Sequence, residues 1–299
     1  MSFAPSSALL GVVLAIAGTF LFALKSIFIK LAYAAGVDAE TLLALRMLLS
    51  APFYGAILAW LWWRQGWPAQ QPKSLLFKVV ALGFFGYYLA SILDLLGLEL
   101  ISAQLERLTL FTYPALIAVL AAIFLGERLT ARIVAALLLC YLGVWVIYGR
   151  EQQLGDSAQV LHGVALVLGS ALSYAIYVVL AKGALRRLGS PLFTSIAMLG
   201  STLFVLIHFV LVRPLSALLV NGEVLGYALL LAFVSTVLPT YMVAEAIQRI
   251  GATRATIFGS VGPVFTLLLA VVWLNEPTSL YHLLGMALVI LGVGLVSRK

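Results

Sequence analysis

The chain has 299 residues, of which 64% are hydrophobic and only 10% are charged. An ordinary soluble domain carries about 25% charged residues, so this composition excludes a water-soluble globule and favours a protein embedded in a lipid bilayer. The net charge of +7 does not indicate a nucleic-acid partner, because the basic residues lie near the ends of apolar segments rather than on one continuous face.

Ten stretches without Asp, Glu, Lys or Arg follow one another along the chain and predict ten membrane-spanning helices. A helix needs about 20 apolar residues to cross the hydrocarbon, and the first three stretches reach that length with a few flanking residues. The stretches are residues 1–24, 47–63, 79–93, 108–126, 133–149, 157–181, 188–212, 224–244, 255–275 and 277–297. They are unlike the alternating segments of a β-barrel, so we expect an all-α integral membrane protein.

The basic residues between the predicted helices are distributed unequally. Twelve Lys and Arg residues fall in connections on the side of the two termini, and four fall on the opposite side, namely Lys30, Arg107, Arg150 and Arg213. Basic residues accumulate in cytoplasmic connections, so we expect both termini in the cytoplasm and a location in the bacterial inner membrane.

The second half of the chain repeats the first. Identical pairs separated by 149 residues include Pro114 and Pro263, Glu127 and Glu276, and Gly143 and Gly292. Near the start of each half the offset is 152, which matches Gly11 with Gly163. We therefore expect two repeats, residues 1–150 and 157–299. Each would hold five helices, so the second would enter the membrane from the opposite side, as in transporters that work by alternating access.

Three motifs in each half carry a family resemblance. In the first half they are Tyr113-Pro114, Leu125-Gly126-Glu127-Arg128-Leu129 and Leu142-Gly143-Val144, and in the second Gly262-Pro263-Val264-Phe265, Leu274-Asn275-Glu276-Pro277 and Leu291-Gly292-Val293-Gly294. They resemble the EamA-type proteins of the drug/metabolite transporter superfamily. The resemblance implies two inverted five-helix repeats around a cavity lined by predicted helices one, three, four, six, eight and nine. It also implies export of amino acids or similar metabolites. We interpret the replacement of Gly126 by Asn275 as variation at a helix end.

Three ionisable residues within predicted spans are the first candidates for binding or coupling. Lys25, Arg46 and Asp94 are expected at a similar depth below the non-cytoplasmic helix ends, where Asp94 could pair with either basic residue. The site would bind a charged substrate group or relay a proton; the alternatives are a structural ion pair and basic side chains that reach back to the interface. Glu99 and Glu106 are expected at the turn between helices three and four, solvated or paired.

Helix-breaking residues are the second class of candidates. Pro114, Pro239 and Pro263 fall within spans, where a proline removes a backbone donor and the freed carbonyl needs a cavity or a polar neighbour. The run around Pro263 contains the further gating candidates Gly259 and Gly262 and the binding candidate Ser260. Close helix packing is the alternative interpretation.

Aromatic residues in the predicted cavity helices are the third class. They could bind apolar parts of a substrate and donate hydroxyl hydrogen bonds, or they could be ordinary core and lipid-facing residues. These candidates are Tyr87, Tyr88, Phe111, Tyr113, Tyr174, Tyr177 and Tyr241.

No motif for ATP hydrolysis, metal binding or nucleophilic catalysis is apparent, so we expect neither an enzyme nor a cofactor or metal. The sequence favours a secondary transporter that exports amino acids or similar small metabolites, with protons as a possible coupling ion, and that works as a monomer or homodimer. The alternatives are export of hydrophobic or cationic drugs, with Asp94 as the counter-charge, a non-transporting membrane scaffold, and an intramembrane enzyme.

Overall fold

The computed structural model describes residues 5–65, 72–126, 128, 130–153, 156–250, 258–259 and 261–297, and these residues are helical apart from short connections. Eight helical segments in this part of the chain are long and apolar enough to cross a membrane, and two shorter apolar helices follow them. The ten predicted spans are therefore found, the ninth with its first residues outside the described part.

Within the described residues, seven helices can be given bounds in the first repeat and six in the second. The first repeat contains α1 (Pro5–Ala34), α2 (Ala39–Gln65), α3 (Lys73–Gly83), α4 (Ala90–Leu100), α5 (Ala103–Leu110), α6 (Tyr113–Leu125) and α7 (Ala131–Gln152). The second contains α8 (Ser157–Leu188), α9 (Ser190–Val212), α10 (Gly222–Ala232), α11 (Leu238–Ile250), α12 (Gly262–Leu274) and α13 (Leu280–Ser297). Helices α3 and α4 cross as one segment, as do α5 with α6 and α10 with α11.

Reciprocal glycine contacts show how the two repeats are related. A Cβ added to Gly143 of α7 would lie 2.6 Å from the carbonyl oxygen of Gly285 in α13, and one added to Gly292 would lie 2.8 Å from that of Ala136. Gly292 and Gly285 stand 149 residues after Gly143 and Ala136, so the same contact occurs twice with the repeats exchanged. This is the geometry of a pseudo-two-fold axis.

The first helix of each repeat packs against the third segment of the other repeat. A Cβ on Gly11 of α1 would lie 2.6 Å from the Ile250 side chain in α11, and one on Gly163 of α8 would lie 2.6 Å from that of Ile101, next to α4. These pairs have the offsets of 152 and 149 that the sequence repeat predicts. The repeats are thus interlocked, and the inner helices of each half contact those of the other.

Two irregular features recur at equivalent positions. Turns of π-helix occupy Phe84–Leu89, between α3 and α4, and Phe233–Val237, between α10 and α11, and they begin 149 residues apart. Helices α6 and α12 both end at a left-handed residue, Gly126 with φ 68° and Asn275 with φ 52°. Glycine and asparagine both tolerate this conformation, which confirms the interpretation of Asn275 as helix-end variation.

The connections 35–38, 101–102, 213–221 and 275–279 and the C-terminal end of α7 gather at one end of the bundle, which we call the distal end. Hydrogen bonds join some of them: the Ala39 N–H donates to Glu99 at 2.8 Å, and the Ser102 hydroxyl donates to Glu151. The chain crosses back and forth between the two ends, so Pro5 and Ser297, the first and last described residues, lie at the opposite end. The candidate charges of the first repeat lie below the distal end.

Candidate polar site between the repeats

Lys25 and Asp94 form an ion pair between α1 and α4, as the sequence predicted they could. The Asp94 side chain is 2% exposed and that of Lys25 is 18% exposed, so the pair is largely removed from solvent. Helix α1 extends to Ala34, three residues beyond the helix end expected from the sequence. Lys25 therefore lies about 13 Å below the distal end of α1.

Arg46 lies near this pair but does not join it. Its Nη2 donates to the Ser91 hydroxyl of α4 at 3.1 Å, and its Nε has no hydrogen-bond partner in the described structure. Of the two basic residues that could pair with Asp94, Lys25 is the one that does so. Arg46 is 6% exposed, so it does not reach back to an interface.

Glu106 is a site residue that sequence reasoning missed. It was expected at a turn, but α5 begins at Ala103 and carries Glu106 into the bundle, where it is fully buried. The Ser26 hydroxyl of α1 donates to Glu106 Oε2 at 2.7 Å, and Glu106 interacts electrostatically with Asp94 and Lys25. Ser102 caps α5 by accepting the Leu105 N–H at 3.0 Å, and this serine was the signal that could have placed the helix start correctly.

Arg107 was also assigned to a connection and instead lies inside the membrane segment 103–124. It is half-buried, and its Nε has no hydrogen-bond partner among the described residues. A Cβ added to Gly262 would lie 3.4 Å from Arg107 Nη2 and 3.4 Å from a methyl group of Thr19. The guanidinium of the first repeat therefore lies beside the helix break of the second.

Two of the three candidate prolines mark places where a helix resumes after an interruption. Pro114 and Pro263 are each the second residue of a helix, in α6 and α12. A proline fits there, because the first N–H groups of a helix have no intrahelical acceptor. Pro239 instead follows the π-turn Phe233–Val237 within the continuous helical segment Gly222–Ile247. Gly259 is helical, Gly262 is the first residue of α12, and Ser260 lies outside the described residues.

Most of the candidate aromatic residues form one connected row. The Tyr87 and Tyr177 hydroxyls lie 3.0 Å apart, and the ring centroids of Tyr174 and Tyr177 are separated by 5.7 Å. Tyr113 extends the row, 5.3 Å from Tyr174 and 6.1 Å from Phe111 between ring centroids. The row thus runs from the π-turn before α4, through α8, to the neighbourhood of Arg107.

Two candidate aromatic residues lie elsewhere. Tyr88 packs with Phe84, Phe204 and His208 rather than with the row. Tyr241 is exposed on α11. The structure therefore groups five of the seven candidate aromatic residues in one row and leaves these two apart.

Ionic and capping contacts join the repeats at the distal end. Glu276, after α12, accepts hydrogen bonds from the N–H groups of Ala103 at 2.7 Å and Gln104 at 3.3 Å, at the N-terminus of α5. The Thr278 hydroxyl donates to the Gln104 side chain at 2.9 Å. A carboxylate at a helix N-terminus is stabilised by the unpaired N–H groups and the helix dipole.

Arg213, after α9, makes a second connection to the first repeat. Its guanidinium lies 3.5 Å from Asp38 and 3.3 Å from Glu40 at the start of α2. Partial burial would raise the pKa of Asp38, but hydrogen bonds from the Thr41 N–H and hydroxyl, with Arg213 nearby, bring this pKa below its ordinary value. Asp38 and Glu40 in turn raise the pKa of Arg213.

No group of three or more His, Cys, Asp or Glu residues in the described part of the chain is arranged to hold a metal ion. The site is instead a cluster of buried charges and hydroxyls between interlocked repeats, continued by a row of aromatic side chains. Together with the apolar helices, it defines a multi-pass membrane protein built from two inverted repeats.

Comparison with known proteins identifies the family. The model of the EamA-like transporter family matches residues 9–149 and 161–298, so the chain belongs to that family and is a membrane transporter. "Uncharacterized transporter YcbK" of Bacillus subtilis (strain 168) is 29% identical over 282 residues, 92% of this chain and 88% of that protein. An "Uncharacterized transporter" of Archaeoglobus fulgidus is 31% identical over 223 residues, 74% of this chain and 78% of the relative.

A crystal structure shares the fold. It has a TM-score of 0.63 and 20% sequence identity, and the match covers 97% of this chain and 98% of the other. The two chains therefore share one fold over nearly their whole lengths.

Proposed function

We propose that this transporter is a secondary exporter of amino acids or similar small polar metabolites that works by alternating access. The observation that carries the proposal is the buried cluster of Lys25, Asp94, Glu106 and Arg107 between helices of both repeats. Asp94, Glu106 and Arg107 each retain a buried polar atom without a hydrogen-bond partner in the described structure. Such atoms cost free energy unless a ligand or water meets them.

The cluster fits a small zwitterion better than a purely apolar molecule. Carboxylate oxygens of Asp94 and Glu106 suit an ammonium group, and the Arg107 guanidinium suits a carboxylate. The aromatic row that begins at Phe111 provides apolar surface and hydroxyl groups for the rest of the substrate. These features support a small polar metabolite as the substrate, and the family supports transport as the activity.

The membrane orientation that we propose follows from the charges in the connections. Both termini lie in the cytoplasm of a bacterial cell, because Lys and Arg accumulate on their side. The distal end then faces away from the cytoplasm. Exchanging the conformations of the two interlocked repeats would open the polar cluster alternately to each side.

Export of cationic drugs is the second candidate function. It would use Asp94 as a counter-charge, and an unpaired Asp94 would favour it. The ion pair with Lys25 argues against it, because Lys25 already balances the charge of Asp94. A net-neutral zwitterion, whose carboxylate suits Arg107, fits such a site better than a cation.

The test is flux through purified protein in liposomes. A panel of labelled amino acids is compared with labelled cationic drugs, and empty liposomes give the background. Saturable amino-acid flux is the expected result. Flux confined to cationic drugs would overturn the substrate class, and flux of neither group by demonstrably folded protein would overturn the proposal.

A further inference from the structure

Two carboxyl groups lie next to each other at the centre of the polar site. Asp94 and Glu106 are 1% and 0% exposed, and they contact the consecutive residues Lys25 and Ser26 of α1. They belong to α4 and α5, on either side of the turn capped by Ser102. Such a pair requires an explanation, because adjacent carboxylates repel strongly where water is excluded.

Each carboxyl group uses one oxygen and leaves the other unpaired. Asp94 Oδ2 contacts Lys25, and Glu106 Oε2 accepts from the Ser26 hydroxyl. Asp94 Oδ1 and Glu106 Oε1 are buried and have no hydrogen-bond partner among the described residues. The pair therefore lacks a donor, and the missing donor is either a proton held between the carboxyls or a group on a ligand.

The basic residues around the carboxyl pair balance the charge of Asp94 but not that of Glu106. Lys25 neutralises Asp94, and Lys30 acts on Glu106 from further along α1. Lys30 also interacts with Glu99, Glu151 and Glu276, so its charge is shared with the acidic groups of the distal end.

The two nearby arginines are directed elsewhere. The Nη2 atoms of Arg107 and Arg46 lie beside Gly262 and Ser91, respectively, and neither arginine forms an ion pair with a carboxylate in the described structure. Glu106 thus has charged neighbours but no direct cationic partner.

We propose that Asp94 and Glu106 form one exchange site that holds either a single proton or the ammonium group of the substrate. This inference rests on the proposed function and specifies how it is driven. The ammonium leaves on the distal side, a proton takes its place on the carboxyl pair, and the proton is released on the cytoplasmic side. One proton then enters for each substrate that leaves, and every side chain returns to its starting protonation state.

The experiment uses liposomes that contain the full-length protein, a tritiated mixture of the common amino acids and a luminal pH-sensitive dye. Two assays are run: uptake driven by a pH gradient, and exchange of labelled for unlabelled amino acids at equal pH. Glu106→Gln is the test variant. Glu223→Gln is the matched control, since Glu223 is exposed at the start of α10.

In wild-type protein we expect a pH gradient to drive uptake and the luminal dye to report coupled proton movement. In Glu106→Gln we expect gradient-driven uptake to fall at least about tenfold, the effect of losing one charge-assisted hydrogen bond. Equal-pH exchange should fall less than gradient-driven uptake, because both assays lose one acceptor for the ammonium but only gradient-driven uptake also needs the proton site. The Glu223→Gln control should behave as wild type in both assays.

Three outcomes separate this inference from the proposed function. Wild-type amino-acid exchange that ignores the pH gradient would overturn proton exchange and leave amino-acid transport intact. Gradient-driven uptake that persists in Glu106→Gln would overturn the role of the carboxyl pair. Absence of all flux in wild type would overturn the proposed function itself.

If Glu106→Gln fails to insert, Ser26→Ala provides the second variant. It removes only the hydroxyl that donates to Glu106 at 2.7 Å. We then expect the pH at which uptake is half-maximal to shift while equal-pH exchange is retained. An unchanged pH profile would overturn the inference.

Discussion

At the scale of single residues, the ion pair between Lys25 and Asp94 connects α1 and α4 of the first repeat. The two residues are 69 positions apart in the chain. A buried pair of this kind contributes little net stability, but removing one partner leaves the other charge uncompensated. Lys25 keeps some exposure, so its ammonium can still be hydrated when Asp94 is changed. Substitution of Asp94 is therefore expected to affect transport more than insertion.

We predict that Asp94→Asn reduces amino-acid flux about ten- to a hundredfold, because a hydrogen bond to a charged group contributes about 1.5–3 kcal/mol. Expression and membrane insertion should stay near normal. Flux in liposomes is measured against protein quantity. The double variant Lys25→Met/Asp94→Asn, which removes both charges, is expected to insert as well and to remain inactive; normal flux in either variant would contradict a transport role.

A second prediction at this scale concerns Asp38, which caps α2 by accepting the Thr41 N–H at 2.9 Å. Asp38→Ala should lower the stability of detergent-solubilised protein by about 1 kcal/mol near neutral pH. The folded-state pKa of Asp38 lies below its ordinary value of 3.8, so its stabilising effect is complete above that value and is lost as the pH falls through the folded-state pKa.

The measurement is thermal unfolding followed by tryptophan fluorescence between pH 7 and pH 3. The gap between wild type and Asp38→Ala should narrow towards the acidic end. A gap that widens towards low pH would contradict the assignment, and Glu223→Ala serves as an exposed acidic control.

At the scale of helices, the recurrent irregularities are concentrated in the central segments. The π-turn Phe84–Leu89 receives hydrogen bonds from α8, where the Ser173 hydroxyl donates to the Phe85 carbonyl at 2.7 Å. In the second repeat, the Thr236 hydroxyl donates to the Leu231 carbonyl at 2.7 Å. Backbone carbonyls that lose their regular helical donor thus accept hydrogen bonds from side-chain hydroxyls. Such partners are needed inside a membrane, where no water is present to replace them. Single π-turns of this kind are frequent at functional sites.

Close packing of α7 against α13 depends on glycine. We predict that Gly143→Val disrupts this contact, because its Cβ would lie 2.6 Å from a backbone carbonyl oxygen that cannot move aside easily. The cost should be about 1–3 kcal/mol and appear as a lower unfolding midpoint and reduced expression.

Gly149→Val is the matched control on the same helix, since a Cβ there meets nothing within 4 Å. It should cost no more than the lower helix propensity of valine, a few tenths of a kcal/mol relative to alanine. Equal destabilisation by both substitutions would argue against a glycine-dependent contact.

At the scale of the whole molecule, polar contacts between the repeats at the distal end oppose their separation there. Glu276 of the second repeat caps α5 of the first, and Arg213 reaches Asp38 and Glu40 at the start of α2. Any movement that opens the distal end by parting these elements must break the contacts. They are therefore expected to set the balance between the states of alternating access.

We predict that Glu276→Ala shifts this balance towards opening at the distal end. Loss of a carboxylate at a helix N-terminus is worth about 0.3–1 kcal/mol, and up to about 2 kcal/mol when partly buried, which corresponds to roughly a two- to thirtyfold change in population. In a Cys140→Ser background, a cysteine placed at Ser26 should react correspondingly faster with a water-soluble maleimide. Glu223→Ala is the control. Unchanged labelling in Glu276→Ala would contradict the proposed effect of this contact on the balance between the states.

Much of the fold could be predicted from the sequence, and less of the site. The apolar stretches and the recurrence of Pro114 at Pro263 were sufficient for ten spans and two repeats. The similar depth of the three charged residues also predicted that Asp94 could pair with Lys25 or Arg46, without deciding between them. Glu106 and Arg107 were placed in a turn because charged residues were taken as the ends of spans, although Ser102 marks the start of α5. The π-turn at Phe84–Leu89 contains Gly86 but no proline, and one glycine in an apolar helix does not by itself indicate a π-turn.

The sequence by itself determined the number of membrane segments, their alternation, the repeat and the family, because these depend on hydrophobic length and local motifs. Only the tertiary structure decided which side chains meet. The rotation of each helix about its axis is set by packing against its neighbours, and that rotation directs Arg46 to Ser91 and brings Glu106 beside Asp94. The candidate site is thus a product of helix packing, since its charged residues come from helices that no local pattern brings together.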